Sequence, residues 1–368
     1  MAVEQAARQS VEEQRDAFVG RLFQSSLGMF EVLTVYLGDR LGLYRALAEQ
    51  EWSTPSELAT RAGVAERYTR EWLEQQATAA MIEVDDAAAQ PEARRYRLPV
   101  AHREVLLDVD SLCYLAPLAR LTGSLSSVLP KLLEAYRGGG GVPWSAFGED
   151  GREGQADMNR PIYLNLLGKE WLPSIPEVHA RLQADPPARI ADIGCGGGWA
   201  SIGIAKAYPS VQVDGYDVDA PSIQLARANA EAQGVSDRVK FYVTDAGEPS
   251  IAGTYDLVCA MEMIHDLSRP VDVLRTMRRL AASNGTVLVM DERVAEKFTA
   301  PGDEVERFMY SASLLCCLPA GLSESPSAAT GTVMRPDTLR RYAQEAGFQD
   351  IEILPIEHDF FRVYRLTK

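Results

Sequence analysis

Basic residues are the first shortage. Across 368 residues the chain has 37 Lys and Arg against 52 Asp and Glu, a formal charge of −15. The deficit is spread out: residues 1–150 hold 15 basic and 22 acidic side chains, leaving 22 and 30 for the remainder. Neither part has the cationic excess that tracks a phosphate backbone or an anionic membrane, so no nucleic acid and no membrane is expected as partner. Cysteine is scarce as well. The five (Cys113, Cys195, Cys259, Cys316, Cys317) form an odd set without C-x-x-C spacing, which suggests neither a disulfide framework nor a zinc knuckle. Four histidines leave little material for a metal site, and none is expected. No apolar run approaches the ~18–20 residues that cross a bilayer. The stretch Met1–Asp16 is polar and carries acids early, unlike a signal peptide. The expected setting is cytoplasmic and reducing.

What is present reads as globular: 46% apolar and 24% charged residues, in a length that exceeds one ordinary domain. From Phe18 to Leu47 apolar residues recur at three- and four-residue spacing, which predicts a helix. Phe23, Phe30, Val32, Val35 and Tyr36 widen the stripe beyond one face. A helix apolar on more than one face must be covered twice, so a homodimer through the N-terminal part is expected. Ser53-Thr54-Pro55-Ser56-Glu57 opens a second helix that Gly63 stops, and a third runs from Ala65 to Ala80. Short strands Met81–Val84 and Tyr96–Leu98 follow, the order of a winged helix. Glu66, Glu71 and Glu74 outnumber Arg67 and Arg70 on the helix that would read DNA, so dimerisation is preferred to DNA contact. Leu112–Tyr136 and Ile162–Leu182 read as helical. Between them Gly138–Gly141 and Gly148–Gly154 break the periodicity, which suggests a flexible connector or a mobile cover. Three parts are expected: 1–137, helical winged-helix and dimerisation; 138–188, connector and covering helix; 189–368, a cofactor-binding α/β domain.

In the last part strands and helices alternate, with strands at 189–193, 211–217, 239–243, 255–260 and 285–290, and edge strands at 350–354 and 360–366. That rhythm implies a mainly parallel sheet covered on both faces. Where the first strand meets the first helix stands Asp192-Ile193-Gly194-Cys195-Gly196-Gly197-Gly198. A dinucleotide fingerprint G-x-G-x-x-G would need glycine at Trp199. The acid before the turn would repel a pyrophosphate but suits a cation such as S-adenosyl-L-methionine. Asp217 ends the next strand, where an acid takes ribose hydroxyls, with Asp219 ranked second. Asp245, followed by Ala246, ends the third, where it can accept an adenine amino group. The expected cofactor set is Asp192, Gly194, Cys195, Gly196, Gly198, Asp217, Val218, Asp245, Ala246 and Met261.

On these residues Arg189–Met290 resembles the class I S-adenosylmethionine-dependent methyltransferases. The whole chain is similar to small-molecule O-methyltransferases of plants and of actinobacterial secondary metabolism. It is more similar still to an actinobacterial group with a winged-helix N-terminus. The resemblance implies a Rossmann-like seven-stranded α/β sheet with one antiparallel strand, behind a mostly α-helical winged-helix dimerisation domain. Asp303–Leu318 with Ser325–Arg335 resembles that group's own signature.

After the fourth strand comes Met263-Ile264-His265-Asp266. Histidine, with an unperturbed pKa of ~6.5, suits removal of a proton from a hydroxyl or phenol. The resemblance implies that the pair His265-Asp266 supplies a base oriented by Asp291 at the end of the fifth strand. It departs where a second supporting acid would precede Arg335, because Met334 stands there. Substrate contacts are expected at Tyr163, Glu292, Arg307 and Tyr310. Glu304, Arg307 and Tyr310 share one helical face, and Trp171 is an aromatic neighbour of Tyr163. Cys316 and Cys317 read as packing, since no basic residue adjoins them in sequence. Methylation of a small molecule at oxygen is the expected activity. N- or C-methylation, a cofactor-sensing regulator and a non-methylating relative are the alternatives.

Overall fold

The structure is a computed structural model that describes residues 10–368. The beginning of the polar leader, residues 1–9, lies outside the described residues. Two compact units divide the chain, one ending at Asp108 but including residues 113–123, the other formed by 109–112 and 124–368.

The first unit opens with α1 (Val11–Arg40), capped by Ser10, whose hydroxyl accepts from the Glu13 N–H while the Glu13 carboxylate accepts from the Ser10 N–H. The single helix expected to Leu47 is interrupted at left-handed Gly42, and α2 (Leu43–Ala48) resumes beyond it. A second reciprocal cap, Thr54 with Glu57, starts α3 (Pro55–Ala62). Then come α4 (Glu66–Thr78) and the antiparallel wing, β1 (Glu83–Val84) with β2 (Tyr96–Arg97). The wing strands are shorter than expected. Leu47, Leu58, Leu73, Ile82 and Leu98 form a core with Tyr44, Trp72 and Tyr96. On α4 the bases are neutralised: Arg67 pairs with Glu71, and Arg70 with Glu92 of the wing loop. After the wing come α5 (Val100–Leu107) and α6 (Ala116–Gly138), the latter close to the predicted span.

Within residues 138–188 helix was expected at Ile162–Leu182, but it already begins at Gly148, which corrects the reading of Gly148–Gly154 as a break. A short turn, Trp144–Phe147, leads into α7 (Gly148–Ile162), a wide-pitched turn (Tyr163–Trp171) and α8 (Pro176–Gln183). Gly148–Gly154 therefore lies inside α7. Two of the glycines, Gly141 and Gly151, serve close approach. A Cβ on Gly141 would fall 2.0 Å from the Pro319 carbonyl oxygen, and the Val142 N–H donates to that oxygen at 2.9 Å.

The sheet of the second unit follows the predicted rhythm. In chain order the elements are β3 (Arg189–Ile193), α9 (Trp199–Ala207), β4 (Gln212–Asp217), α10 (Ala220–Ala232), β5 (Val239–Val243), β6 (Tyr255–Met261) and α11 (Pro270–Leu280). They continue as β7 (Ala281–Glu292), α12 (Glu304–Ala312), a wide turn (Ser313–Cys317), α13 (Leu318–Gly321), α14 (Pro336–Glu345), β8 (Asp350–Ile353) and β9 (Phe361–Thr367). Seven strands lie in the order β5-β4-β3-β6-β7-β9-β8, and β9 alone runs against the others. On β3, Ile190 packs into the core on one face, and Ala191 and Ile193 into the core on the other. A strand buried on both faces reads as a nearly continuous apolar run, which is why β3 was legible. The order reverses direction beside β3, between β4 and β6. Open α/β sheets bind ligands at such a switch point, outside the carboxyl ends of the strands.

Candidate functional site

The turn after β3 carries left-handed backbone at Gly194, Gly196 and Gly198. Gly198, at φ +80°, has no room for more: a Cβ would meet Phe241 Cζ at 2.6 Å and Ala226 at 2.9 Å. Over Gly196 the space is open, with nothing within 4 Å of where a side chain would begin. The turn is thus packed from beneath and bare above, the shape a ligand can lie against.

Asp217, at the end of β4, holds this turn from the side. One carboxylate oxygen accepts the Gly196 N–H and the other the Asp219 N–H, both at 2.9 Å. A carboxylate has about four acceptor directions, so two remain for a diol. Burial raises its pKa, against those backbone hydrogen bonds. Asp219 instead caps α10, accepting from Ser222. Asp192 lies differently from the other predicted cofactor residues. It is 1% exposed and accepts from Ser201 Oγ at 2.6 Å, beside Cys259. Burial pushes it up to about 6, against the Ser201 hydrogen bonds. A polar residue inside an apolar strand must be partnered, and here it ties β3 to α9 beneath the turn. Asp245, after β5, is half-exposed and already held by Arg269 at 2.9 Å. Val218 is exposed, whereas Cys195, Ala246 and Met261 are buried. The predicted residues therefore gather at four adjacent strand ends.

Two strand ends farther along the sheet build the second part of the site. Met261 on β6 stands in register with Met290 on β7, so the residues that follow each strand emerge side by side. Glu262 leaves β6 with a left-handed backbone (φ +60°), a strained conformation for a residue with a Cβ. Its carboxylate accepts from Asn159 Nδ2 at 2.6 Å and Gln155 Nε2 at 3.1 Å, both on α7. The chain then makes one tight turn, Ile264–Asp266. This places His265 in the interior at 2% exposure. Its Nδ1 donates to Asp291 Oδ1 at 2.7 Å, while Glu292 Oε2 lies 2.9 Å from the same nitrogen. One N–H cannot serve two acceptors equally, and Asp291 takes it.

The charges follow from this geometry. Burial alone would push the His265 pKa down, but Asp291, Glu292 and Asp266 together carry it well above its ordinary value. Burial likewise opposes ionisation of Asp291, yet the imidazolium brings that acid below the usual carboxylate range. Glu292 goes the other way: burial, reinforced by neighbouring Asp291, keeps it protonated. Glu262 is raised to about 7 by burial, against His265 and Asn159. These directions favour a charged ring against Asp291 and a neutral acid at Glu292.

Of the other predicted contacts, Tyr163 is buried on the turn after α7, and Tyr310 accepts from Arg335 at 3.3 Å. Arg307 is exposed, as is Glu304. The acid that matters on α12 is Glu306, 3% exposed and paired with Arg335 at 2.6 Å. Met334 is buried in the apolar core, so no acid stands before Arg335, and Glu292 is the second carboxylate at His265 instead. The reading of Cys317 as packing without a basic neighbour is overturned: folding brings its thiol to His265 and Asp266. Sequence reasoning also passed over Glu262, although an acid directly after an apolar strand was a signal.

Comparison with known proteins comes to the same region. Residues 185–347 match the family described as methyltransferase domain, and residues 30–107 the Rv2258c-like winged HTH domain. An ajmaline N-methyltransferase of Rauvolfia serpentina is 33% identical over 105 residues, 28% of this chain and 36% of that protein. A ubiquinone biosynthesis O-methyltransferase of Burkholderia pseudomallei is 28% identical over 202 residues, 54% of this chain and 78% of that protein. The chain thus spans little more than a third of the plant relative. Two solved structures share the fold over nearly the whole length. The mitomycin 7-O-methyltransferase MmcR has a TM-score of 0.70 at 18% identity, over 96% of this chain and 99% of its own. Human N-acetylserotonin methyltransferase, solved with SAM, has a TM-score of 0.68 at 16% identity, over 98% and 99%.

Proposed function

Because the chain carries a methyltransferase domain behind an Rv2258c-like winged helix–turn–helix domain, we propose that it is an S-adenosyl-L-methionine-dependent enzyme methylating an oxygen of a small molecule. The observation that carries the reading is the meeting of two devices along one edge of the sheet. An open glycine turn flanked by Asp217 lies at β3 and β4, and a buried His265–Asp291 pair lies at β6 and β7. The residues fit the cofactor. The Asp217 carboxylate flanks the bare turn, which suits a positively charged ligand and disfavours a pyrophosphate. Asp217 would hold the ribose, the backbone of Gly194–Gly196 the amino-acid portion, and the Asp245–Ala246 strand end the adenine.

When bound, S-adenosylmethionine supplies an electrophilic methyl group. The chain's own task is to present the acceptor in line and remove its proton. His265 is suited to that removal through Nε2, since Nδ1 is committed to Asp291. Asp291 acts through the ring: it fixes the tautomer and stabilises the imidazolium that proton uptake leaves. Asp266 borders the same nitrogen at 3.2 Å. Incubation with cofactor labelled in the methyl group and a panel of phenols, hydroxyls and amines tests the activity. Label should appear in an ether product; transfer to nitrogen alone would replace the oxygen reading, and no transfer to any acceptor would reject it.

A homodimer is part of this proposal. On α1 only Gly38 is buried, while Phe18, Phe23 and Phe30 are 56–66% exposed. Each large apolar side chain is worth ~1.5–3 kcal/mol when taken out of water. A second copy laid along α1 would cover them, and the paired Arg67 and Arg70 leave little positive charge for DNA. Light scattering at micromolar concentration should give twice the chain mass, and Phe23→Glu with Phe30→Glu should halve it. A monomer before mutation would count against the dimer.

A further inference from the structure

His265 faces different partners with its two nitrogens. Nδ1 is occupied by the hydrogen bond to Asp291, too short at 2.7 Å to admit an ion between the two atoms. Nε2 faces Asp266 and Cys317. Asp266 Oδ1 is 3.2 Å from Nε2, yet it is out of line for a hydrogen bond and is a buried oxygen with no partner. Their separation is that of two ligand atoms on one ion. Two oxygen or nitrogen ligands on tetrahedral zinc, each about 2.0–2.1 Å from the ion, stand about 3.3 Å apart. Cys317 Sγ, delivered by the turn Ser313–Cys317, lies within 4.8 Å of a ring nitrogen of His265 and of an Asp266 carboxylate oxygen. That gap closes to a zinc ligand edge with a side-chain adjustment of about 1 Å.

We propose that His265 Nε2, the Asp266 carboxylate and the Cys317 thiolate form a three-ligand zinc site, its fourth position left to water or to a substrate atom. One nitrogen, one oxygen and one sulfur favour zinc over magnesium or calcium, which take oxygen alone. The Asp291 carboxylate completes the arrangement, since a ligating histidine commonly donates its other N–H to such a group. The loop that follows α13 is tied to the histidine turn: the Gly331 N–H donates to the His265 carbonyl, and the Ala328 N–H to that of Ser268. The site itself does not depend on the methyl-transfer reading, but its consequence does: zinc and the acceptor's proton compete for the same Nε2, so zinc should inhibit turnover.

The test begins with protein freed of metal by chelator and titrated with cobalt(II) chloride, then with zinc chloride by calorimetry. Binding of one ion per chain is expected, with tetrahedral cobalt bands and a thiolate-to-cobalt charge-transfer absorption. Cys317→Ser should abolish that absorption and weaken zinc at least 10-fold, whereas Cys316→Ser should keep the absorption. Zinc should inhibit methyl transfer by the parent, and should inhibit Cys317→Ser 10-fold less effectively, each measured against its own rate in chelator. Absence of one-to-one binding at micromolar metal, or a thiolate band that survives in Cys317→Ser, would overturn the proposal. The cobalt spectrum stands whether or not a methyl acceptor has been found, so failure of the site and failure of the activity are distinguishable.

Discussion

Replacing His265 by alanine is expected to lower turnover by ~10²–10⁴-fold, the usual loss when a general base is removed. Cofactor affinity should change little, because the residues proposed for the cofactor lie at the ends of β3 to β6, ahead of the turn that carries His265. The pH profile distinguishes a base from a residue that merely fills space. Proton removal needs the neutral ring, and the surrounding acids Asp291, Glu292 and Asp266 hold the His265 pKa well above its ordinary value. The rate should therefore climb with pH above neutrality, on a limb displaced to the alkaline side of ~6.5. In His265→Ala that limb should vanish. Asp291→Asn removes the anion hydrogen-bonded to Nδ1, so the limb should move to lower pH while the maximum rate falls less than in His265→Ala. An alanine variant that keeps most of its activity would mean that proximity suffices and that the acceptor is already nucleophilic.

Asp217→Ala should have the other large effect, on binding rather than on rate. Its carboxylate makes two hydrogen bonds to backbone N–H groups and is assigned the ribose diol besides. Hydrogen bonds to a charged group are worth ~1.5–3 kcal/mol each, so losing a pair to the ligand predicts weakening on the order of 10²-fold or more. Release of the Gly196 N–H loosens the turn as well. Calorimetry with S-adenosylhomocysteine measures the change, and Asp219→Ala, which removes only the cap of α10, serves as comparison. Equal affinities for Asp217→Ala and the parent would remove Asp217 from the cofactor site.

The fold was legible where burial leaves its mark on composition. β3 is apolar on both faces, and its predicted span, Arg189–Ile193, coincides with the strand. The caps Thr54–Glu57 and the proline of α3 marked a helix start by local chemistry alone. Gly148–Gly154 was misread because glycine carries two meanings, freedom and closeness; that Gly151 packs against Phe147 and Ser124 is visible only in the fold. The site divides similarly. His265, Asp291 and Asp217 stand at strand ends, where position itself signals function. Cys317 lies 52 residues beyond His265 in the chain and reaches it only through a turn after α12. Glu292 was read as a substrate contact, yet it stands at the histidine, in place of the acid missing before Arg335.

The register of Met261 with Met290 decides how rigidly the groups proposed to handle the proton are held. His265 and Asp291 hang from two strands bonded directly to each other in the middle of the sheet, the least deformable part of such a fold. Their mutual geometry is set when the chain folds, before any ligand arrives. Binding energy from the acceptor need not be spent on assembling the pair and remains free to align the oxygen with the methyl carbon. An acceptor trimmed of its remote groups should accordingly lose alignment and rate, while the ionisation that the pH limb reports should stay where it was.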